Sequence, residues 1–345
     1  MTDQKGGSFA EMFGRQTLVK MGVGFVIALV LVYLLGTVVG WEETITEVRE
    51  ADPAWIALGC LSTLLCLMMW GRAWQIVLGV GGIKVPYHKL VVTYFAATFA
   101  NYVTPLGQAG GEPFIAYVLS RDTDADYEQS LASVVTADLL NLLPFFNFAA
   151  VGVAYLVFQS SFQGSETVDN LVLGLGALAV GVPAIVWAGW RHRNGVEEAV
   201  VRIITPLSRL TSRISADGIR HRIERFYTAI ERIAAEPRAL ARALGYAYLG
   251  WFFFTVPMYT AVRATGADMN AILVFFIVPA STIAGLVPTP GGLGAVEGAL
   301  TVLLSQVGGL SQSSGLAVAT LYRVESYLFA LLVGGIAALW VTIRA

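Results

Sequence analysis

Charged residues are scarce in this chain of 345 residues, of which Asp, Glu, Lys and Arg make up 13%. A soluble domain carries about 25%. Hydrophobic residues make up 56%, so too few charges are present to cover the surface of a water-soluble domain of this size. Apolar runs of about 20 residues, which can cross the ~30 Å hydrocarbon core of a membrane, recur along the whole sequence. This composition favours an integral membrane protein.

Cysteine and histidine are also scarce, with two and three residues. Cys60 and Cys66 lie six residues apart in one apolar run and on different helix faces, which predicts packing rather than a disulfide or a metal site. His88, His192 and His221 lie at predicted membrane edges or in a polar linker, so we expect no metal site. We predict no catalytic constellation and no bound cofactor, and therefore no enzyme. No nucleic-acid-binding module is recognisable, so we expect no nucleic-acid partner.

Eight apolar segments predict an all-α integral membrane protein. They lie at residues 18–39, 54–78, 89–104, 128–158, 171–190, 243–264, 271–288 and 314–343. Two shorter stretches, 111–120 and 291–305, each follow a Thr-Pro motif and are interpreted as half-helices that return to the side they came from. The prediction is about six full transmembrane helices plus two re-entrant hairpins, at 89–120 and 271–305.

The two Thr-Pro motifs carry the strongest functional signal. Residues 104–112 read TPLGQAGGE, and residues 289–297 read TPGGLGAVE. Each motif has a glycine two residues after the proline and a glutamate at its ninth position. A Pro/Gly-broken segment that recurs in both halves of a membrane protein indicates a site at the repeat interface. The alternative is that Gly and Pro merely kink ordinary spanning helices.

The distribution of basic residues predicts the topology. With the N-terminus inside, most of the 22 Lys and Arg fall on the inner side and the outer loops are acidic, as the positive-inside rule requires. The chain then divides into a cytoplasmic N-terminus, a first membrane half, a basic amphipathic cytoplasmic linker and a second membrane half, at residues 1–17, 18–190, 191–242 and 243–345. We expect the protein to lie in the cell membrane with both termini in the cytoplasm. In this topology the two hairpins enter the membrane from opposite faces. The repeat is therefore predicted to be inverted.

Five ionisable residues are predicted at membrane depth: Glu112, Asp138, Glu297, Arg323 and Glu325. Such residues usually line a cavity or pair with one another. Four carboxyls face one guanidinium, so we expect at least one carboxyl to be protonated or to hold a cation, and transport to be coupled to H⁺ or Na⁺. Arg323 and Glu325 point to different helix faces, so Arg323 should pair with an acid on another helix. The alternative role of that pair is only to hold helices together.

Polar and small residues complete the candidate substrate or coupling site. Asn101 precedes the first break and could cap it, and Asn141 lies one turn from Asp138 on the same helix face. The remaining candidates shape the backbone of the two breaks: Pro105, Gly110, Gly111, Pro290, Gly291, Gly292 and Gly294. Half-helices that start near Gly110 and Gly291 would aim free N–H groups at an anionic lipid phosphate. Alternatively, the glutamates near each start satisfy those donors themselves.

These motifs resemble a known membrane family. The residues concerned are Asn101, Pro105, Gly110-Gly111-Glu112, the string PTPGGLGAVE at 288–297 and Tyr322-Arg323. They resemble the lysylphosphatidylglycerol synthase transmembrane (flippase-like) family, over about residues 18–343. The resemblance implies a lipid translocase, because the membrane unit of the multiple peptide resistance factor is held to move aminoacylated lipid between leaflets. Related units are found beside enzymes of polyprenyl-linked sugar assembly, which implies a lipid-biosynthetic or glycosyltransferase partner.

We therefore expect a flippase-like protein that moves an anionic, aminoacylated or polyprenyl-phosphate-linked lipid, with membrane lipids as its partners. No aminoacyl-transferase or glycosyltransferase domain flanks the apolar segments, so synthesis of lysyl lipid is not expected. Two alternatives stay open: an ion-coupled transporter of a small solute, and a membrane partner of a lipid-linked glycosyltransferase. A membrane enzyme acting on a lipid phosphate has little support, because no nucleophile or metal set accompanies the acids.

Overall fold

The computed structural model describes residues 15–104, 111–123, 125–158, 231–287 and 289–344, together with scattered positions between 170 and 228. The ordered elements within these residues are all helical, which confirms the all-α membrane class. The helices are α1 (Arg15–Val39), α2 (Trp41–Glu50), α3 (Pro53–Val80), α4 (Tyr87–Val103), α5 (Gly111–Asp122), α6 (Tyr127–Phe158), α7 (Pro237–Ala264), α8 (Val274–Ala284), α9 (Ala295–Gln306), α10 (Gln312–Arg323) and α11 (Phe329–Arg344). A π-helical segment (Val324–Leu328) joins α10 to α11 without a break.

Four helices of the described chain are long and apolar enough to cross a membrane. They are Pro53–Val80, Tyr127–Phe158, Pro237–Ala264 and the continuous Gln312–Val341. A bent pair, Leu29–Val39 and Trp41–Glu50, meets at 99° and would make a fifth span. The four single helices agree with four of the six predicted spans, whereas the bent pair covers residues 29–50 and only partly overlaps the predicted first span at 18–39. The sixth, 171–190, falls mostly outside the described residues.

Four further helices are too short to span a membrane. α4 has 17 residues, α5 has 12, α8 has 11 and α9 has 12. At ~1.5 Å per residue even α4 reaches only about 26 Å, less than a ~30 Å core. α4 packs against α5, and α8 packs against α9. Packed pairs of short helices therefore lie at the places of the two predicted hairpins, and their re-entry into the membrane stays a prediction.

The order long, short, short, long occurs twice along the chain. The first set is α3 to α6, and the second is α7, α8, α9 and the continuous α10–α11. An offset of 185 residues, that between Thr104 and Thr289, carries the first residue of each helix in the first set to within two residues of its counterpart's start. The internal repeat thus extends from the two motifs to whole four-helix units.

The contacts between the two units are reciprocal. α3 packs against its own counterpart, α7. α4 packs against α11, which is part of the counterpart of α6. In the same way α8, which is the counterpart of α4, packs against α6. A two-fold relation produces this pattern, because each contact between elements i and j is matched by one between j and i.

The paired helices α3 and α7 run antiparallel. The N–H of Asp52 donates to the carbonyl of Ala264 at 2.9 Å, so the start of α3 meets the end of α7. Further along, the Ser62 hydroxyl donates to the carbonyl of Phe253 at 2.8 Å. Counterpart spans that run in opposite directions are related by an axis in the membrane plane. This is the inverted arrangement that the sequence predicts.

Glycines allow the two cross-unit contacts to be close. A Cβ on Gly152 in α6 would lie 2.4 Å from the backbone nitrogen of Phe276 in α8. A Cβ on Gly334 in α11 would lie 2.6 Å from the carbonyl oxygen of Phe95 in α4. Small residues let helix backbones approach in this way, and dispersion contacts then hold helices together in lipid, where the hydrophobic effect between them is absent.

One helix boundary differs from the prediction. α7 begins at Pro237, although the predicted apolar segment begins at 243. Its first turns are amphipathic: Ala239 and Ala243 are buried in the core, whereas Arg238 and Arg242 are exposed. Because arginines alternate with alanines in these turns, their average hydropathy is lower than that of a membrane span, and the prediction therefore left them out. Residues 192–227, most of the predicted amphipathic linker, lie outside the described residues, so that linker stays a prediction.

Candidate functional site

Arg323 lies in the interior of the last long helix and is held on three sides. Its Nε donates to Oε1 of Glu297 at 2.8 Å, and its Nη2 donates to the carbonyl of Gly291 at 2.7 Å. Its guanidinium carbon stands 4.1 Å from the ring centre of Tyr327, a cation–π distance. The side chains of Arg323 and Glu297 are only 12% and 6% exposed. Arg323 thus pairs with an acid on another helix, as predicted, and that acid is Glu297.

The second break is a turn built from glycines. Gly291, Gly292 and Gly294 have φ angles of 58°, 67° and 86°, which favour glycine strongly. A Cβ at Gly291 would also lie 2.0 Å from a ring carbon of Tyr327. Because these residues are not helical, α9 begins at Ala295, and the predicted start near Gly291 is wrong. The turn instead leaves the Gly291 carbonyl free to accept from Arg323.

Glu297 satisfies the start of α9. Its Oε2 accepts the N–H of Gly294 at 2.6 Å, while its Oε1 accepts from Arg323. The alternative that the glutamate itself meets the free N–H groups therefore holds in this conformation. Chemically, a guanidinium and a helix-start N–H bind one buried oxyanion. The protein's own carboxylate is that oxyanion.

The same two positions of the first unit hold different charges. The 185-residue offset relates Glu297 to Glu112 and Arg323 to Asp138. Asp138 accepts from Nε1 of Trp74 at 2.9 Å and interacts electrostatically with Glu112. In the first unit, the carboxyls of Glu112 and Asp138 thus occupy the positions that the ion pair of Glu297 and Arg323 occupies in the second unit. Applying the offset of the Thr-Pro motifs to Arg323 would have revealed this correspondence from sequence.

Aromatic side chains connect the charged groups of the two units. The rings of Trp74 and Tyr94 lie 4.9 Å apart, and those of Tyr102 and Tyr327 lie 5.1 Å apart. Tyr94 interacts electrostatically with both Asp138 and Tyr102. Trp74, Tyr94, Tyr102 and Tyr327 are not among the residues predicted for the site. The available signal was the eight-residue spacing of Tyr94 and Tyr102, two turns along one face of α4.

Asn141 does not join Asp138 in one contact. Its backbone carbonyl accepts from Nε1 of Trp251 in α7 at 2.9 Å, whereas Asp138 accepts from Trp74 in α3. Asn141 Oδ1 is buried with no hydrogen-bond partner among the described residues. The backbone contact does not fix the direction of the Asn141 side chain, so its convergence with Asp138 stays a prediction.

The first break is described only at its ends. Asn101 lies in the last turn of α4, and the C-cap position is Thr104, whose hydroxyl donates to the carbonyl of Ala100 at 2.5 Å. The cap by the Asn101 side chain stays a prediction, because residues 105–110 of the break lie outside the described residues. Gly111 and Glu112 begin α5. Pro105 and Gly110 lie outside the described residues, and Pro290 is buried in the second break.

Glu325 faces away from Arg323, as predicted from their spacing. It is fully buried, and its Oε2 lies 2.5 Å from the hydroxyl of Thr260 in α7. It therefore belongs to a separate polar contact, between the π-helical segment and the antiparallel pair of α3 and α7.

Comparison with known proteins identifies the family. The model of the lysylphosphatidylglycerol synthase transmembrane region matches residues 21–334, so the chain belongs to this family, as its motifs indicate. A UPF0104 membrane protein of Methanothermobacter thermautotrophicus is 25% identical over 336 residues, covering 94% of this chain and 93% of the relative. A UPF0104 membrane protein of Pyrococcus horikoshii is 23% identical over 327 residues, covering 91% and 95%.

A longer relative has an enzyme's name. The glycosyltransferase AglD of Haloferax volcanii is 22% identical over 329 residues, covering 88% of this chain and 51% of the relative. The chain therefore spans about half the length of that protein. Together these relatives establish a multi-pass membrane protein of a lipid-related family.

Proposed function

We propose that this member of the lysylphosphatidylglycerol synthase transmembrane family moves a phosphate-containing lipid between leaflets, either anionic, aminoacylated or polyprenyl-phosphate-linked, and that the headgroup passes through the site at Arg323. The observation that carries the proposal is the buried oxyanion arrangement, in which Arg323 and the N–H of Gly294 both donate to Glu297. A lipid phosphate presents the same acceptor chemistry to the same donors.

Exchange of one anion for another is the core of the proposed mechanism. The pair of Arg323 and Glu297 is desolvated, so opening it without a replacement would leave a buried charge and cost about 3–5 kcal/mol. A phosphate that takes the place of the carboxylate keeps the guanidinium and the helix start hydrogen-bonded. The headgroup can then enter while Arg323 stays neutralised, and Glu297 can rebind Arg323 when the headgroup leaves.

The two carboxyls of the first unit bear on which lipid is transported. Glu112 and Asp138 interact with each other, and Tyr94 interacts electrostatically with both. An aminoacylated lipid carries an amino group that these acids would attract, while its phosphate binds Arg323. A polyprenyl phosphate would use the Arg323 site alone. The protein is proposed as a carrier rather than an enzyme, in the cell membrane with both termini cytoplasmic.

Leaflet-resolved transport in vesicles tests this function. The purified protein is placed in liposomes with fluorescent phosphatidylglycerol, lysylphosphatidylglycerol or polyprenyl phosphate, and a membrane-impermeant quencher reports the outer leaflet. Wild type should equilibrate at least one of these lipids, and Arg323→Ala should lose the activity. Arg263→Ala, which breaks an exposed pair with Asp268, is the matched control and should retain it. Inert wild type with all three lipids would remove the proposal.

A second candidate role is that of a membrane partner for a lipid-linked glycosyltransferase. The similarity to about half of AglD favours it, since a homologous membrane region occurs there within a glycosyltransferase. Lipid binding without transport in the vesicle assay, lost in Arg323→Ala, would favour this role. Uptake of a water-soluble anion without lipid movement would instead favour a small-solute transporter.

A further inference from the structure

Glu325 is a buried carboxyl that the anion site does not use. Its side chain has no exposed surface, its Oε2 lies 2.5 Å from the Thr260 hydroxyl, and its Oε1 has no hydrogen-bond partner among the described residues. A helix glycine makes room for it, because a Cβ at Gly59 would lie 1.7 Å from Oε2. The carboxyl thus fills a space built for it between α3, α7 and the π-helical segment.

The groups that surround Glu325 offer little to a negative charge. α7 contributes the Thr260 hydroxyl, and α3 contributes the thiol of Cys60, which interacts electrostatically with Glu325. On α10, Arg323 is directed to Glu297 on the other side. α11, which also packs against the π-helical segment, contributes no titratable group with a contact to Glu325 among the described residues. Within the described chain, no cation forms an ion pair with this carboxyl.

Counting donors at Thr260 indicates where the proton lies. The Thr260 hydroxyl has one hydrogen, and its oxygen lies 3.1 Å from the carbonyl of Pro257 and 3.2 Å from that of Val256. If Glu325 is neutral, its O–H donates to Thr260 and Thr260 donates to a carbonyl, so every hydrogen is used. If Glu325 is ionised, a buried anion is left with one neutral donor, which is costly without a cation.

We propose that Glu325 is a proton-binding site, occupied in this conformation, whose release of the proton alters the Arg323 site through the π-helical segment. In the release step the O–H bond of Glu325 breaks, the proton passes to water and the carboxylate remains. The coupling half of this inference rests on the proposed function, whereas the proton site stands without it.

The π-helical segment supplies the physical link. Glu325 and Tyr327 both belong to it, and the Tyr327 ring lies on Arg323 and against Gly291. An ionised Glu325 would draw in water or move toward donors, and either change displaces the segment that carries Tyr327. π-helical turns often occur at functional sites. The offset of 185 relates Glu325 to Leu140. The first unit therefore has an apolar residue at this position, and the proposed proton site belongs to the second unit only.

Infrared spectroscopy tests the proton site without any transport. The purified wild type should show the C=O band of a protonated carboxylic acid, at the high frequency of a carbonyl that accepts no hydrogen bond, with a shift in D₂O. Glu325→Gln should lose this band. Thr260→Val should shift it, because the acid O–H loses its acceptor, whereas Thr255→Val should not. Thr255 is equally buried in α7 and donates only to Phe252.

Two results would overturn the proton site. One is a spectrum of folded Glu325→Gln protein that keeps the whole band. The other is a wild-type carboxylate band that responds to Na⁺ and not to pH, which would make the site a sodium site. Size-exclusion chromatography shows whether each variant is folded. If Glu325→Gln does not fold, Glu325→Asp is measured instead, because it retains a carboxyl at this position.

The vesicle assay tests the coupling. Lipid movement by wild type should depend on an imposed pH gradient, and Glu325→Gln should lose that dependence while it still binds lipid. Thr255→Val should keep the wild-type response. A wild-type rate that is independent of the gradient would refute the coupling, even if the band is present. Inert wild type would refute the transport function and leave the spectroscopic result in force.

Discussion

Arg323→Ala should destabilise the protein far more than Arg263→Ala, although each substitution removes an arginine from one ion pair. Arg323 and Glu297 are joined at 2.8 Å with side chains 12% and 6% exposed. Arg263 and Asp268 are joined at 3.1 Å with side chains 38% and 93% exposed. Breaking a buried pair costs about 3–5 kcal/mol because a charge is left unpaired, whereas an exposed pair contributes about 0–1 kcal/mol.

The contacts of Arg323 explain why the larger value is expected. Alanine at this position leaves the Glu297 carboxylate with only the N–H of Gly294, leaves the carbonyl of Gly291 without its donor and removes the cation from the ring of Tyr327. The free energy of unfolding can be measured by denaturant titration in mixed micelles, followed by tryptophan fluorescence.

A double-mutant cycle separates the pair from its surroundings. The cycle uses Arg323→Ala, Glu297→Ala and the double variant, in which neither charge remains. The double variant should lose clearly less than the sum of the two single losses, by about 0.5–3 kcal/mol. Additive losses, or an Arg323→Ala loss no larger than that of Arg263→Ala, would show that the buried pair is not formed in the folded protein.

Two further substitutions test the geometry around the site. Gly291→Ala should lower stability by about 1–3 kcal/mol because φ is +58° and the new Cβ would meet the Tyr327 ring at 2.0 Å. Gly298→Ala in α9, where a Cβ meets nothing within 4 Å, should be neutral or stabilising in the same unfolding titration, and equal losses would refute the reasoning. Trp74→Phe should cost about 1–3 kcal/mol because Asp138 loses its hydrogen bond, and an unchanged unfolding midpoint would contradict the contact.

The membrane class, the helix breaks and the buried charges were predictable because each is encoded locally. Long apolar runs identify spans whatever they pack against. The Thr-Pro motifs mark breaks because proline cannot continue a helix, and in the second motif three glycines also have a positive φ. The spacing of Arg323 and Glu325 was enough to direct them to opposite faces. The first turns of α7 were missed because their buried alanines alternate with exposed arginines.

The partners of the site residues were not predictable in the same way. Three acids were equally available to Arg323 in the sequence, and the glycine turn selected Glu297 by bringing it to the start of α9. Asp138 pairs with Trp74, 64 residues away, and Glu325 pairs with Thr260, 65 residues away. Such distances along the chain reveal nothing about which helices pack together.

The sequence by itself determined an all-α membrane protein with two broken segments and five charges at membrane depth, because hydropathy, proline and glycine act within a few residues. Only the tertiary structure decided that α3 packs directly against its counterpart α7, that α4 and α8 each pack against a helix of the other unit, and that one acid pairs with Arg323 while another is buried elsewhere. The physical reason is that, in lipid, helix pairing depends on close backbone approach at residues such as Gly152 and Gly334 and on hydrogen bonds between distant side chains. Neither leaves a periodic signal in the sequence.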